Sequence, residues 1–350
     1  MPVKKISIEE FLALAPHHPV FDVRSPGEYL HAQISGALSL PLFSDEERKV
    51  VGTAYKQQSK QKAIKIGLDY FGVKMRNMVE TVEKIVAEKN TTETKTILVH
   101  CWRGGMRSAA VAWLLDLYGF EVYTLVGGYK SYRNWVISQF EKTYEINILG
   151  GYTGSGKTAI LHELVNNKQP VIDLEKLANH KGSAFGGIGQ GEQPTQEMFE
   201  NLLAIELNKN EQNNIWLEDE SQRIGKLQIP QPFWLHMRTK PVFFIEIPFH
   251  ERLQYIIQEY GVCDKHSVQL SIERIQKRLG PLETKTAIAF LHKNEIADCF
   301  GILLLYYDKH YNKGLENREN FESQLNKIPC LHVDSITNAQ KLVTCLTVNT

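Results

Sequence analysis

A chain of 350 residues with 43% hydrophobic and 23% charged positions can bury two full cores, which excludes intrinsic disorder and favours two domains over one. Its most apolar stretches, residues 241–248 and 301–307, fall far short of the ~20 residues a membrane helix needs, so no membrane span is expected. Forty basic and forty acidic side chains give a formal net charge of +0, which excludes a nucleic-acid binder that works by bulk charge alone.

In chain order, the opening stretch MPVKKISIEEFLALAP has acids inside its apolar run and no small-residue cleavage site, so no secretory leader is expected. Residues 19–23 (PVFDV) read as a buried strand. The segment 48–76 then carries eight cations, Arg48, Lys49, Lys56, Lys60, Lys62, Lys65, Lys74 and Arg76, against the single acid Asp69. A local patch of this kind fits either a polyanion that docks at one place or a solvated helix face. Residues 96–100 (TILVH) are the next strand. Apolar spacing over 108–118 predicts a helix, stopped by Gly119. The strand 121–126 (EVYTLV) is closed by Gly127 and Gly128, and a helix follows over 130–140. At 144–149 (YEINIL) the pattern restarts with a strand, a glycine-rich turn and a helix over 159–165. Strands alternating with helices predict an α/β protein with mostly parallel sheets. The break near 141 predicts two domains, 1–140 and 141–350. Five cysteines, at 101, 263, 299, 330 and 345, form no disulfide framework and no CxxC metal pair, which fits a reducing cytoplasm.

Residues 151–158 read GYTGSGKT. Glycines at Gly151, Gly154 and Gly156 let the backbone curl, so that N–H groups around Ser155 point inward at phosphate oxygens. The following helix N-terminus favours an anion. Lys157 can reach a terminal phosphate, and Thr158 can hold a magnesium ion. Such a loop is usually accompanied by an apolar strand that ends in an acid. Residues 214–220 (NIWLEDE) fit, with Glu218 and Asp219 as the candidates.

Residues 100–108 read HCWRGGMRS, between a predicted strand and a predicted helix. Inward N–H groups, the helix N-terminus, Arg103 and Arg107 would favour a thiolate at Cys101. A thiolate in an anion cradle can attack sulfur, selenium or phosphorus. Two further segments fit either an anion or RNA contact or a plain alternative, a flexible loop over the phosphate site for the first and a solvated helix face for the second. One is 179–187 (NHKGSAFGG) with His180, Lys181 and Ser183. The other is the helical stretch 271–279 with Arg274, Lys277 and Arg278.

Asp22, Val23, Arg24, Ser25, Pro26, Glu28 and Tyr29, followed by His31, Ala32, Ile34, Gly36 and Ala37, resemble the N-terminal signature of rhodanese sulfurtransferases. The resemblance implies that residues 101–107 are the cysteine loop and that Asp22 and Arg24 pack behind it. The Cys-x5-Arg spacing is one residue longer than the usual single-domain rhodanese loop and resembles the phosphatases built on the same fold. The loop alone leaves chalcogen transfer and phosphate-ester hydrolysis open, and a phosphate-loop small-molecule kinase with a rhodanese appendage is a further alternative. The pairing of the two halves resembles the tRNA 2-selenouridine synthases along nearly the whole chain. Residues 101–105, 151–158, 179–187, 193–200 (QPTQEMFE) and 216–225 (WLEDESQRIG) carry that resemblance. It implies conversion of a wobble 2-thiouridine of tRNA to 2-selenouridine, with selenophosphate as donor and an S-geranylated intermediate made from geranyl diphosphate. Cys101 would carry selenium as a selenylsulfide, and the phosphate loop would suit the prenyl diphosphate. Lys56, Lys60, Lys62 and Lys65 would meet the tRNA backbone. No tightly bound cofactor or structural metal is expected beyond magnesium at Thr158, and a selenophosphate-supplying enzyme is an expected partner.

Overall fold

The computed structural model describes residues 3–88, 95–261 and 263–348. Two compact units make up the chain. One comprises Met1–Gln139 with Glu200–Ile205, the other Phe140–Phe199 with Glu206–Thr350.

The first unit holds a five-stranded parallel sheet made of β1 (Lys4–Ile6), β2 (Val20–Asp22), β3 (Leu38–Ser39), β4 (Thr96–His100) and β5 (Glu121–Leu125). Their order is β1-β5-β4-β2-β3. The central strand β4 is buried at every position, which is why TILVH shows no alternation. Its Ile97 and Val99 pack with Phe21, Val23, Val111 and Leu115. Register sets Asp22 of β2 opposite His100 of β4, so both strands end beside the cysteine loop. Three helices, Asp45–Gln57, Lys60–Gly72 and Met75–Glu88, connect β3 to β4. Ser44 and Glu47 form a capping box at the first, and Ser59 caps the second by accepting from the Lys62 N–H.

The second unit holds β6 (Glu145–Gly151), β7 (Asn214–Glu218), the short antiparallel pair β8 (Arg223–Ile224) and β9 (Leu227–Gln228), β10 (Val242–Glu246) and β11 (Leu325–Pro329). The main sheet runs β11-β10-β6-β7, all parallel. β6 is central and feeds the glycine-rich turn directly into the helix Lys157–Asn166. Register places Leu149 of β6 opposite Glu218 of β7, which brings the end of β7 to the mouth of that turn. Beside the sheet lies a helical layer of Phe249–Tyr260, Lys265–Leu279, Pro281–His292 and Ile296–Glu316, with its own apolar core.

The α/β architecture expected from the alternation of strands and helices is the one observed. β7 is shorter than the expected strand 214–220, because the chain leaves the sheet after Glu218. Among the described residues, no helix is long and apolar enough to cross a membrane.

Candidate functional site

Cys101 follows β4 and is 3% exposed. Its Sγ lies 3.2 Å from the Ser108 hydroxyl oxygen. Burial pushes the thiol pKa up. The Ser108 hydroxyl and the backbone N–H groups of Ser108, Arg103 and Gly105 outweigh it, and the net pKa falls below that of an ordinary cysteine. The turn after β5 clamps this loop. The Tyr129 N–H donates to the Cys101 carbonyl at 2.8 Å, and the Lys130 N–H donates to that of Trp102 at 2.9 Å. Only glycine fits at Gly128. Its φ is +60°, and a Cβ there would stand 2.3 Å from the Cys101 oxygen. Behind the loop, Arg24 pairs with Asp22 at 2.6 Å and donates to the Ala32 carbonyl at 2.7 Å. Its guanidinium lies 3.8 Å from the Tyr129 ring centroid. Asp22 and Arg24 thus brace the loop from within the core.

The two arginines stand elsewhere than the sequence reading places them. Arg107 donates to Glu28 at 2.7 Å, because the capped N-terminus of the helix Pro26–His31 presents that carboxylate to it. Burial raises the Glu28 pKa, but Arg107 and Ser25 bring it below the usual range, so the pair is ionised at neutral pH. Arg103 exposes its side chain and offers the sulfur its backbone N–H. The thiolate is therefore held by a hydroxyl and main-chain dipoles. Ser108 is the residue the sequence reading missed; its only signal is a hydroxyl in the first turn of the helix after the cysteine.

In the second unit, Gly151, Gly154 and Gly156 all take positive φ. Buried Ser155 fixes the curl by donating to the Tyr152 carbonyl at 2.7 Å. Lys157 folds back over the loop, 3.0 Å from the Gly151 carbonyl and 3.5 Å from Glu218. The Thr158 hydroxyl lies 3.1 Å from Glu175 and 3.3 Å from Glu218. Glu220 joins them, and the three carboxylates have oxygens within 4.8 Å of one another. Burial first, then repulsion from Glu218, pushes Glu175 up to about 8. Burial also raises Glu218 and Glu220. With the Thr158 hydroxyl these carboxylates make an all-oxygen donor set of the kind magnesium takes.

Asp219 does not belong to that set. Asp219 is the first residue past β7 and takes other partners. Asp219 pairs with Arg318 and accepts from the Tyr311 hydroxyl at 2.7 Å. That hydroxyl in turn accepts from the Gly151 N–H at 3.2 Å, so Asp219 anchors the back of the phosphate loop. Arg252 supports it too, donating to the Thr153 carbonyl at 3.0 Å while forked onto Asp308 at 2.9 and 2.7 Å. Glu175 and Glu220 went unread in the sequence. Glu220 lies two residues past the end of β7, and nothing local marks Glu175.

A cavity of about 500 Å³ opens from this loop. Lys157, Thr158 and the three glutamates line one part of it, and Phe185, Ile256, Tyr260, Phe300, Leu304 and Tyr307 line another. Of the segment 179–187, Lys181, Gly182, Ser183 and Phe185 reach the same cavity, with Lys181 paired to Glu259 at 3.3 Å.

Lys56, Lys60, Lys62 and Lys65 are exposed and make no ion pair among the described residues. Other cations of the segment 48–76 are neutralised from outside it. Lys74 pairs with Glu47, Arg76 with Glu80 at 2.7 Å, and Arg48 with Glu28 at 3.8 Å. Arg274, Lys277 and Arg278 are exposed along the helix Lys265–Leu279.

A cradled cysteine after the central strand of a parallel sheet, followed in the same chain by a phosphate-loop unit, defines a rhodanese-like domain joined to a P-loop domain. The rhodanese-like domain family matches residues 7–134, and the tRNA 2-selenouridine synthase AAA domain matches residues 144–325. A tRNA 2-selenouridine synthase of Nitrosomonas europaea is 38% identical over 288 residues, which span 79% of this chain and 72% of that one. Another, of Bdellovibrio bacteriovorus, is 33% identical over 367 residues, spanning 91% and 94%. The chain belongs to the tRNA 2-selenouridine synthase family.

Proposed function

We propose that this protein converts a wobble 2-thiouridine of tRNA to 2-selenouridine through an S-geranylated intermediate, with geranyl diphosphate and selenophosphate as its small substrates. One observation carries the reading: a single cavity offers a phosphate-binding loop and, beyond it, an aromatic and aliphatic lining. A ligand with a diphosphate head and an apolar tail matches both parts. Lys157 swings from the Gly151 carbonyl to the terminal phosphate, and the loop N–H groups hold the rest. Magnesium at Thr158, Glu175, Glu218 and Glu220 would supply neutralisation of the diphosphate charge. Alkylation forms a bond from the prenyl carbon to the C2 sulfur, breaks the carbon–oxygen bond to diphosphate, and releases the N3 proton of the base. The unalkylated sulfur is a poor leaving group; once alkylated, it departs as geranyl thiolate when selenium attacks C2, and the thiolate takes up a proton to leave as the thiol. Selenophosphate supplies that selenium: its selenium bonds to C2 as the thiolate leaves, and water then cleaves the selenium–phosphorus bond, releasing phosphate and leaving selenium on C2. Cys101 is the residue that handles this anionic donor, in a cradle whose donors stabilise an anion at that point.

The rival phosphatase reading needs a free arginine at the end of Cys-x5-Arg, and Arg107 is engaged by Glu28. The exposed lysines Lys56, Lys60, Lys62 and Lys65 supply a surface for the tRNA backbone, and a tRNA substrate sets the work in the cytoplasm. The test is stepwise. An anticodon stem-loop with 2-thiouridine is given geranyl diphosphate and magnesium, then selenophosphate, and its nucleosides are read by mass spectrometry. S-geranyl-2-thiouridine should appear first and 2-selenouridine second. Full selenation without geranyl diphosphate would overturn the prenyl step.

A further inference from the structure

The apolar part of the cavity has a direction. The helix Ile296–Glu316 contributes Phe300, Leu304, Tyr307 and Tyr311 to the lining, spaced four, three and four residues apart and hence on one face. Tyr311 marks the phosphate end, since its hydroxyl accepts from the Gly151 N–H at 3.2 Å. Phe300 lies eleven residues back along the helix, about 16 Å at 1.5 Å per residue. There it meets Phe185 and Tyr260, with ring centroids 6.1 and 6.2 Å away, and those two rings are 6.0 Å from each other. Phe300 and Phe185 are 3% and 4% exposed, and they belong to one apolar cluster with Val268, Ile272 and Leu291. Three mutually packed rings at the end of a stripe that starts at a phosphate loop form a wall. A ring removed there leaves a space bounded by apolar side chains.

We infer that Phe185, Tyr260 and Phe300 are the end-stop of the cavity and set the longest apolar chain that a bound diphosphate can carry. The inference rests on the reading of this cavity as a prenyl diphosphate site and adds the residues that select chain length. A five-carbon chain leaves part of the stripe uncovered, and a chain longer than the stripe must displace a packed ring. Loss of one ring should shift the preference toward the longer chain by at least about tenfold, in line with what a few methylenes decide in an apolar pocket.

The experiment is a set of calorimetric titrations with inorganic diphosphate, dimethylallyl diphosphate, geranyl diphosphate and farnesyl diphosphate, in magnesium. The unaltered protein should bind geranyl diphosphate more tightly than either its shorter or its longer relative. Phe300→Ala and Phe185→Ala should raise the ratio of farnesyl to geranyl affinity at least about tenfold. Phe300→Leu, which keeps an apolar side chain in the cluster and guards against a variant that does not fold, should shift it in the same direction by less. A ratio unchanged in all three variants would overturn the end-stop while leaving the prenyl site intact. If no prenyl diphosphate binds the unaltered protein better than inorganic diphosphate does, the prenyl reading itself fails and the end-stop fails with it.

Discussion

At Cys101, burial and hydrogen bonding act in opposite directions, and hydrogen bonding prevails. Iodoacetamide alkylation of Cys101 should therefore reach its half-maximal rate at a pH below that of free cysteine, about 8.5. Ser108→Ala removes the largest of the lowering contacts and should move that midpoint upward, with Cys101 still buried. Equal midpoints in the two proteins would assign the shift to the main chain alone. Glu175 gives a second test. Its folded pKa of about 8 stands above the ordinary glutamate value near 4.3. A raised carboxyl stabilises the fold most when protonated, so its contribution is full below the ordinary value and is lost as pH rises through about 8. A magnesium ion held by Thr158, Glu175, Glu218 and Glu220 would replace that proton. Its stabilising effect on the melting temperature should be larger at pH 8 than at pH 6. Glu175→Gln should remove most of the difference, and a magnesium effect independent of pH would remove Glu175 from the metal set.

Elements explain which parts of the site could be read in advance. The phosphate loop and the cysteine loop are local, since each strand, its glycines and its helix lie in one contiguous stretch, 145–166 and 96–118. The acid at the end of β7 was legible to within one residue. Where β7 ends, and its register with β6, show that Glu218 rather than Asp219 meets Thr158. Glu175 was not legible, because it reaches Thr158 from a separate short helix, Leu174–Ala178. The apolar chamber was hidden for another reason. The stripes of its helices have the spacing of ordinary core, and nothing in a single helix reveals that they face a cavity. For the phosphate loop itself, Lys157→Ala removes a charge-assisted contact to the diphosphate and should cost about 2–3 kcal/mol of geranyl diphosphate binding. That corresponds to roughly 30- to 150-fold in Kd by calorimetry. Unchanged affinity would place the diphosphate elsewhere.

Across the whole molecule, neutrality conceals an uneven distribution of charge. Residues 1–145 carry 19 Lys+Arg against 16 Asp+Glu, and the remainder carries 21 against 24. The patch at 48–76 is smaller than its eight cations imply, because Glu28, Glu47 and Glu80 supply partners from outside it. Lys56, Lys60, Lys62 and Lys65 remain on exposed helical surface, at positions suited to phosphates. Replacing all four with Gln should weaken tRNA binding and flatten its salt dependence by up to ~4 in the log–log slope. Discrimination of the wobble base should survive, because phosphate contacts position RNA without reading it. An unchanged slope would make these lysines a solvated face. The central claim is that Cys101 handles the selenium donor after the base sulfur has been alkylated. It is tested most directly by nucleoside mass spectrometry of tRNA from selenite-grown cells that carry either the unaltered chain or Cys101→Ser as their only copy. The account predicts 2-selenouridine in the first and S-geranyl-2-thiouridine without 2-selenouridine in the second. Full selenation by Cys101→Ser would contradict it.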